Sequence, residues 1–134
     1  MPNGDDLPPI YLDTKLSQLS FVTRYKTTAR SMYDSARLRA ALTNYTTPGE
    51  VLLVNEADNV MDGSITTLYL YRDGGWKTPS TESGSQVGVT RRLALEKEWC
   101  SEGEITVSTL ECGEVIWASN ALKGYFPMRF DGYR

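Results

Sequence analysis

A chain of 134 residues with 40% hydrophobic and 23% charged residues has the length and composition of a single globular domain. Its 14 basic residues against 17 acidic ones give a net charge of −3, which removes the electrostatic ground for a nucleic-acid partner. There is no histidine, so Ser-His-Asp and Cys-His nucleophiles are excluded within the chain, and the two cysteines are too few for a zinc cluster, so no metal is expected.

Residues 1–9, with three prolines, a glycine and two acids, read as a flexible lead-in to one domain over residues 10–134. They lack the basic and apolar regions of a signal peptide, and no stretch reaches the roughly 20 apolar residues of a membrane span. The expectation is therefore a cytoplasmic protein with no membrane contact. Ile10–Leu12 is a short strand candidate, and Phe21–Tyr25 is β-prone up to Lys26. From about Thr28 the period changes: Ala29, Met32, Tyr33, Ala36 and Ala40 recur at helical spacing, with Arg30, Asp34, Arg37 and Arg39 between them, up to about Asn44. Glu50–Asn55 carries the apolar run of a buried strand, and Ala57-Asp58-Asn59 turns the chain. Ile65–Arg72 is a strand leading into the hairpin turn Asp73-Gly74-Gly75 and its partner Trp76-Lys77-Thr78. A Ser/Thr/Gly-rich loop, Thr78–Gln86, precedes a second helix from Thr90 to Trp99. Strands over Glu104–Thr109, Glu114–Ser119 and Phe126–Phe130 complete an α/β fold, a mixed β-sheet with two long helices. Cys100 and Cys112 read as small buried or half-buried residues of a reducing compartment.

Four features carry chemistry. Lys26 stands where a strand gives way to helix; in a desolvated pocket its amine becomes a nucleophile, while in water it is an ordinary surface lysine. Asp62, ahead of Gly63-Ser64 and a strand, is either an inward acid held by backbone N–H groups or a plain turn aspartate. Gly88-Val89-Thr90 runs straight into a helix whose first N–H groups lack partners, so it suits an anion, although Thr90 also serves as a simple N-cap. Ser119-Asn120, at a strand end, either donates to a ligand or shapes a turn.

The order and spacing of these four resemble a known pattern: Lys26, Asp62 36 residues on, Thr90 28 beyond, and Asn120 30 further. Lys26-Thr27-Thr28-Ala29-Arg30, Gly63-Ser64-Ile65-Thr66-Thr67, Gly88-Val89-Thr90-Arg91-Arg92 and Trp117-Ala118-Ser119-Asn120 are similar to the C-terminal domain of fold-type IV pyridoxal-phosphate enzymes, the D-amino-acid-aminotransferase-like group. The lyase branch, aminodeoxychorismate lyases of the fungal kind, is the nearest, and the resemblance runs from about Tyr11 to Met128. It implies pyridoxal 5′-phosphate as cofactor, with Lys26 forming the Schiff base and shuttling the proton. Asp62 would pair with the pyridine nitrogen. Gly88, Val89 and Thr90 would hold the phosphate, with Ser119 and Asn120 lining the phosphate or substrate side. Arg30 would order the site or meet a substrate carboxylate, and Tyr33 would face the small-molecule substrate, from which pyruvate is eliminated.

The sequence departs from that pattern twice. Asp62 stands where the family carries glutamate, one methylene longer. The family also has an N-terminal domain ahead of this region, which implies a homo-oligomer (a dimer) or a separate N-terminal partner here. Three readings stay open: the cofactor-dependent lyase, a cofactor-free cyclase or isomerase using Lys26, Asp62, Tyr25 and Tyr33 for acid–base work, and a non-catalytic binding or scaffold domain.

Overall fold

The structure is a computed structural model; it describes residues 7–17, 26–42, 49–80 and 88–133, the side chains of 15–17 and 26–32 excepted. The β-prone Phe21–Tyr25 and most of the loop before the second helix lie outside the described residues. The strands are β1 (Pro9–Ser17), β2 (Glu50–Asn55), β3 (Val60–Gly63), β4 (Thr67–Arg72), β5 (Gly75–Pro79), β6 (Ser101–Gly103), β7 (Val115–Asn120) and β8 (Gly124–Tyr133). The helices are α1 (Lys26–Arg39) and α2 (Val89–Glu96).

The eight strands form one mixed sheet in the order β3-β2-β1-β8-β7-β4-β5-β6. β1 is parallel to both neighbours, β2 and β8, while β7 is antiparallel to β8 and β4. The sheet curls until its ends meet. Val60 of β3 donates to the Ile105 carbonyl, Val107 donates to that of Asp58, and Asn59 bridges Thr106.

Alternation along the strands separates two cores. Ile10, Leu12, Leu52, Val54, Leu68, Leu70, Ile116 and Phe130 point inside the curl, where each buried Leu or Ile contributes roughly 1.5–3 kcal/mol. Val51 and Leu53 point outward, and with Met61 they pack under Tyr33, Ala36 and Ala40 of α1.

Several elements differ from expectation. α1 starts two residues earlier than Thr28 and stops at Arg39, well before Asn44. Its end is a Schellman motif: Ala41 takes the left-handed conformation (φ 60°), Leu42 donates to the Arg37 carbonyl and Ala41 to that of Leu38. α2 ends the same way, with Glu98 at φ 59° and Trp99 donating to the Ala94 carbonyl. At 8 residues α2 is not a long helix. Both left-handed positions hold residues other than glycine, so no stop signal stands in the sequence. The strand expected over Glu104–Thr109 is instead β6 upstream, the bridging segment, and a 3-10 turn over Val107–Thr109. Met61 and Asp62 lie within β3 rather than in a turn. Leu7 is buried and Pro9 opens β1, inside the expected lead-in. Cys112 is exposed, Cys100 is half-buried, and both are free thiols. The Asp73-Gly74 hairpin forms as the sequence indicates, both residues at positive φ (54° and 79°).

Candidate active site

The outward face of the sheet, opposite the inner core, carries two polar groups. The first surrounds Asp62. In the β2–β3 register Asp62 lies opposite Leu53, so the two side chains share the face under α1. Asp62 is 5% exposed, and its Oδ1 accepts the Gly63 N–H at 3.1 Å.

The turn that follows is held by an acid the sequence reading did not single out. Glu50, first residue of β2 and 1% exposed, accepts the N–H groups of Val51 (2.8 Å), Ser64 (3.0 Å) and Ile65 (3.1 Å). It also accepts the Ser64 hydroxyl and, at 2.7 Å, the Thr66 hydroxyl. Its counter-charge is Arg37 of α1, 3% exposed, with Nη1 3.6 Å from Glu50 Oε1 and donating to Ser64 Oγ at 2.9 Å. Helical spacing set Arg37 among the polar positions of α1, yet it is buried. A carboxylate with this many donors tolerates burial because its lone pairs and its charge are both answered. Only glycine fits at position 63: a Cβ there would lie 2.3 Å from Thr66 Oγ1 and 2.8 Å from Glu50 Oε2.

The second group sits where α2 begins. Gly88 is the N-cap, extended at φ −124° and ψ 171°, with no side-chain cap. The first intrahelical bond runs from Arg92 to the Gly88 carbonyl, so the N–H groups of Val89, Thr90 and Arg91 have no helical acceptor. Thr90 is not the cap. Its hydroxyl lies 2.8 Å from Ser119 Oγ, which lies 2.7 Å from the Tyr69 hydroxyl. Tyr125 donates its hydroxyl to the Thr90 carbonyl at 2.6 Å. These groups are neutral: burial pushes the Tyr69 phenol up to about 12, against a smaller lowering by its bond to Ser119. Burial also raises Tyr125 and the Cys100 thiol. Tyr69, Trp76, Trp99, Trp117 and Tyr125 line an apolar cavity of about 340 Å³ beside α2. Tyr69 and Tyr125 were not foreseen; Tyr69 alternates with buried Leu68 and Leu70, the only hint that it faces outward.

The two groups are joined by the short turn between β3 and β4. Gly63, next to Asp62, ends one side of it, and Thr67, which pairs with Ser119, begins the other. The structure thus places Asp62, Thr90 and Ser119 on one outward face. Lys26 is the first residue of α1, but its side chain and that of Arg30 lie outside the described side chains. Tyr33 is buried in the cluster under α1. Asn120 commits its Oδ1 to the turn after β7, accepting the N–H groups of Leu122 (3.0 Å) and Lys123 (2.8 Å). Val89 is exposed, and Gly88 has open space where a side chain would stand. Among the described residues there is no cluster of three or more His, Cys, Asp or Glu able to hold a metal, and no helix is long and apolar enough to cross a membrane.

Comparison with known proteins bears on the family and the fold. The yeast Saccharomyces cerevisiae aminodeoxychorismate lyase is 28% identical over 120 residues, covering 78% of this chain and 32% of the lyase. A provisionally named amino-acid aminotransferase of Mesorhizobium loti superposes with a TM-score of 0.75 at 25% identity, over 96% of this chain and 62% of that one. The 4-amino-4-deoxychorismate lyase of Pseudomonas aeruginosa gives 0.70 at 18% identity, over 97% of this chain and 50% of its own, a likeness of fold. The chain therefore spans less than two thirds of each of these relatives. The amino-transferase class IV family matches residues 5–129, nearly the whole chain, and this protein belongs to that family.

Proposed function

We propose that this chain forms the lysine-bearing part of a pyridoxal-phosphate-dependent lyase that eliminates pyruvate, as in the aminodeoxychorismate lyases. The observation that carries the reading is the single outward face. It holds a buried carboxylate, Asp62, at one end and helix N–H groups without a helical acceptor, beside the Thr90–Ser119 hydroxyl pair, at the other. The phosphate end fits the cofactor. The helix start has a partial positive charge, Gly88 leaves room above it, and the neighbouring phenols stay neutral rather than repelling an anion. At the acid end, the burial of Asp62 on the outward face supports the reading.

When bound, the cofactor supplies an electron sink for the reacting carbon. Asp62 would hold a proton on the ring nitrogen, and the N–H groups of Val89 and Thr90 with the Thr90 hydroxyl would hold the phosphate. The amine of Lys26 takes up and returns the proton at the reacting carbon. The same reading includes a second protein surface, either another copy of this chain or a separate N-terminal partner, over a face on which Trp117 is exposed and Leu122 is 97% exposed.

The test is direct. The full chain is incubated with pyridoxal 5′-phosphate, its visible spectrum recorded, and the adduct fixed with borohydride and mapped by peptide mass spectrometry. A coloured protein modified at Lys26, releasing pyruvate from aminodeoxychorismate, is the expected result. A colourless protein with unmodified Lys26 overturns it.

A further inference from the structure

Glu50 lies too deep to touch a substrate, being 1% exposed, yet it bonds to three successive residues of one short turn, Ser64, Ile65 and Thr66. That turn is the covalent link between Asp62 and Thr67, and Thr67 pairs with Ser119, whose hydroxyl meets Thr90. Through Arg37 the same carboxylate is tied to α1, the helix that begins at Lys26. One buried acid is thus the common anchor of three segments: the acid end of the outward face, the link to its hydroxyl end, and the lysine helix.

We propose that Glu50 is a positioning residue that sets the separation between Asp62 and the Thr90–Ser119 anion seat, so that a single ligand engages both. This rests on the cofactor reading above. The physical basis is the number of bonds that converge on one carboxylate. A turn whose amides and hydroxyls point at a fixed charge has little freedom to lengthen or shorten. Gly63 tightens it further, since its close approach to Thr66 and Glu50 excludes any side chain.

The experiment compares two ligands, pyridoxal 5′-phosphate and pyridoxal, on the full chain and on Glu50→Gln. The affinity ratio between them measures how much the phosphate adds when the ring end is also engaged. In Glu50→Gln the ratio is expected to fall about tenfold, the loss of roughly one charge-assisted hydrogen bond. Amide exchange at Ser64 and Ile65 is expected to rise, while the β7–β8 pairs stay protected. Adding Arg37→Gln to Glu50→Gln removes the buried charge that Glu50 balanced and recovers stability. A merely structural role would recover the ratio as well, whereas positioning leaves it low. Thr66→Val, which removes one bond and no charge, replaces Glu50→Gln if that variant does not fold, with the same direction expected.

An unchanged ratio, a ratio restored in the double variant, or unchanged exchange at Ser64 and Ile65 overturns the role of Glu50 while leaving the cofactor reading intact. A wild-type chain that binds neither compound overturns the cofactor reading, and this role with it.

Discussion

The two polar groups on the outward face are built in opposite ways. Around Asp62 the structure uses full charges: Glu50 and Arg37 are both almost wholly buried and bind each other and the turn between them. Around Thr90 it uses neutral hydroxyls, with Ser119 passing from Thr90 to Tyr69 and phenols that resist ionisation. The charged end binds its turn tightly and is vulnerable to losing either partner, because what remains is an uncompensated ion. The neutral end loses little when one hydroxyl goes, and its helix N–H groups stay available to a ligand.

The largest effect that sharpens this contrast is expected at Glu50. Glu50→Ala takes the counter-charge away from buried Arg37 and should lower unfolding stability by about 3–5 kcal/mol, read from urea denaturation. A loss below about 1 kcal/mol would show that the charged end is not built as described. At the neutral end, Tyr69→Phe removes one hydroxyl bond and keeps the ring, so the expected loss is only about 0.5–1.5 kcal/mol in the same assay. A loss as large as that of Glu50→Ala would erase the distinction.

Alkaline pH separates the ends further. Because the Tyr69 phenol is pushed up to about 12 in the folded protein, the stability it confers is complete below the ordinary tyrosine range near 10 and is lost as pH rises from there through about 12. Denaturation midpoints for wild type should therefore fall over that interval, and Tyr69→Phe should remove its share of the slope. Identical slopes for the two proteins would contradict the assignment. The smallest effect concerns neither end: Ala41→Gly at the close of α1 should raise stability by about 0.5 kcal/mol. Relief of a left-handed alanine, about 1–2 kcal/mol, is offset by the freedom glycine brings to the unfolded chain, about 0.4–1 kcal/mol.

Elements with a local cause were legible in the sequence. The apolar run after Glu50 became β2 with the expected bounds, and Asp73-Gly74 turned the β4–β5 hairpin. The family was legible as well, because four weak signals in a fixed order and spacing weigh more together than each does alone. What could not be read is what only the fold assembles. Positions 37, 50 and 64 meet through two strands and a helix, so the burial of Arg37 and the role of Glu50 left no trace in periodicity. The early ends of both helices depend on left-handed Ala41 and Glu98, where no glycine marks the stop. Thr90 looked like a cap, but Gly88 caps α2 and frees the hydroxyl for Ser119.

The meeting of β3 with residues 105–107 has a consequence for behaviour at high concentration. An open sheet offers bare backbone donors and acceptors along its margin, which another chain can extend into fibrils. Here Asp58, Asn59 and Val60, where the chain enters β3, pair with Ile105, Thr106 and Val107, and the opposite margin, β6, is three residues long with exposed Ser101 and Glu102. Runaway self-stacking would first have to unzip that seam, so colloidal robustness is built into the way the barrel-like curl shuts.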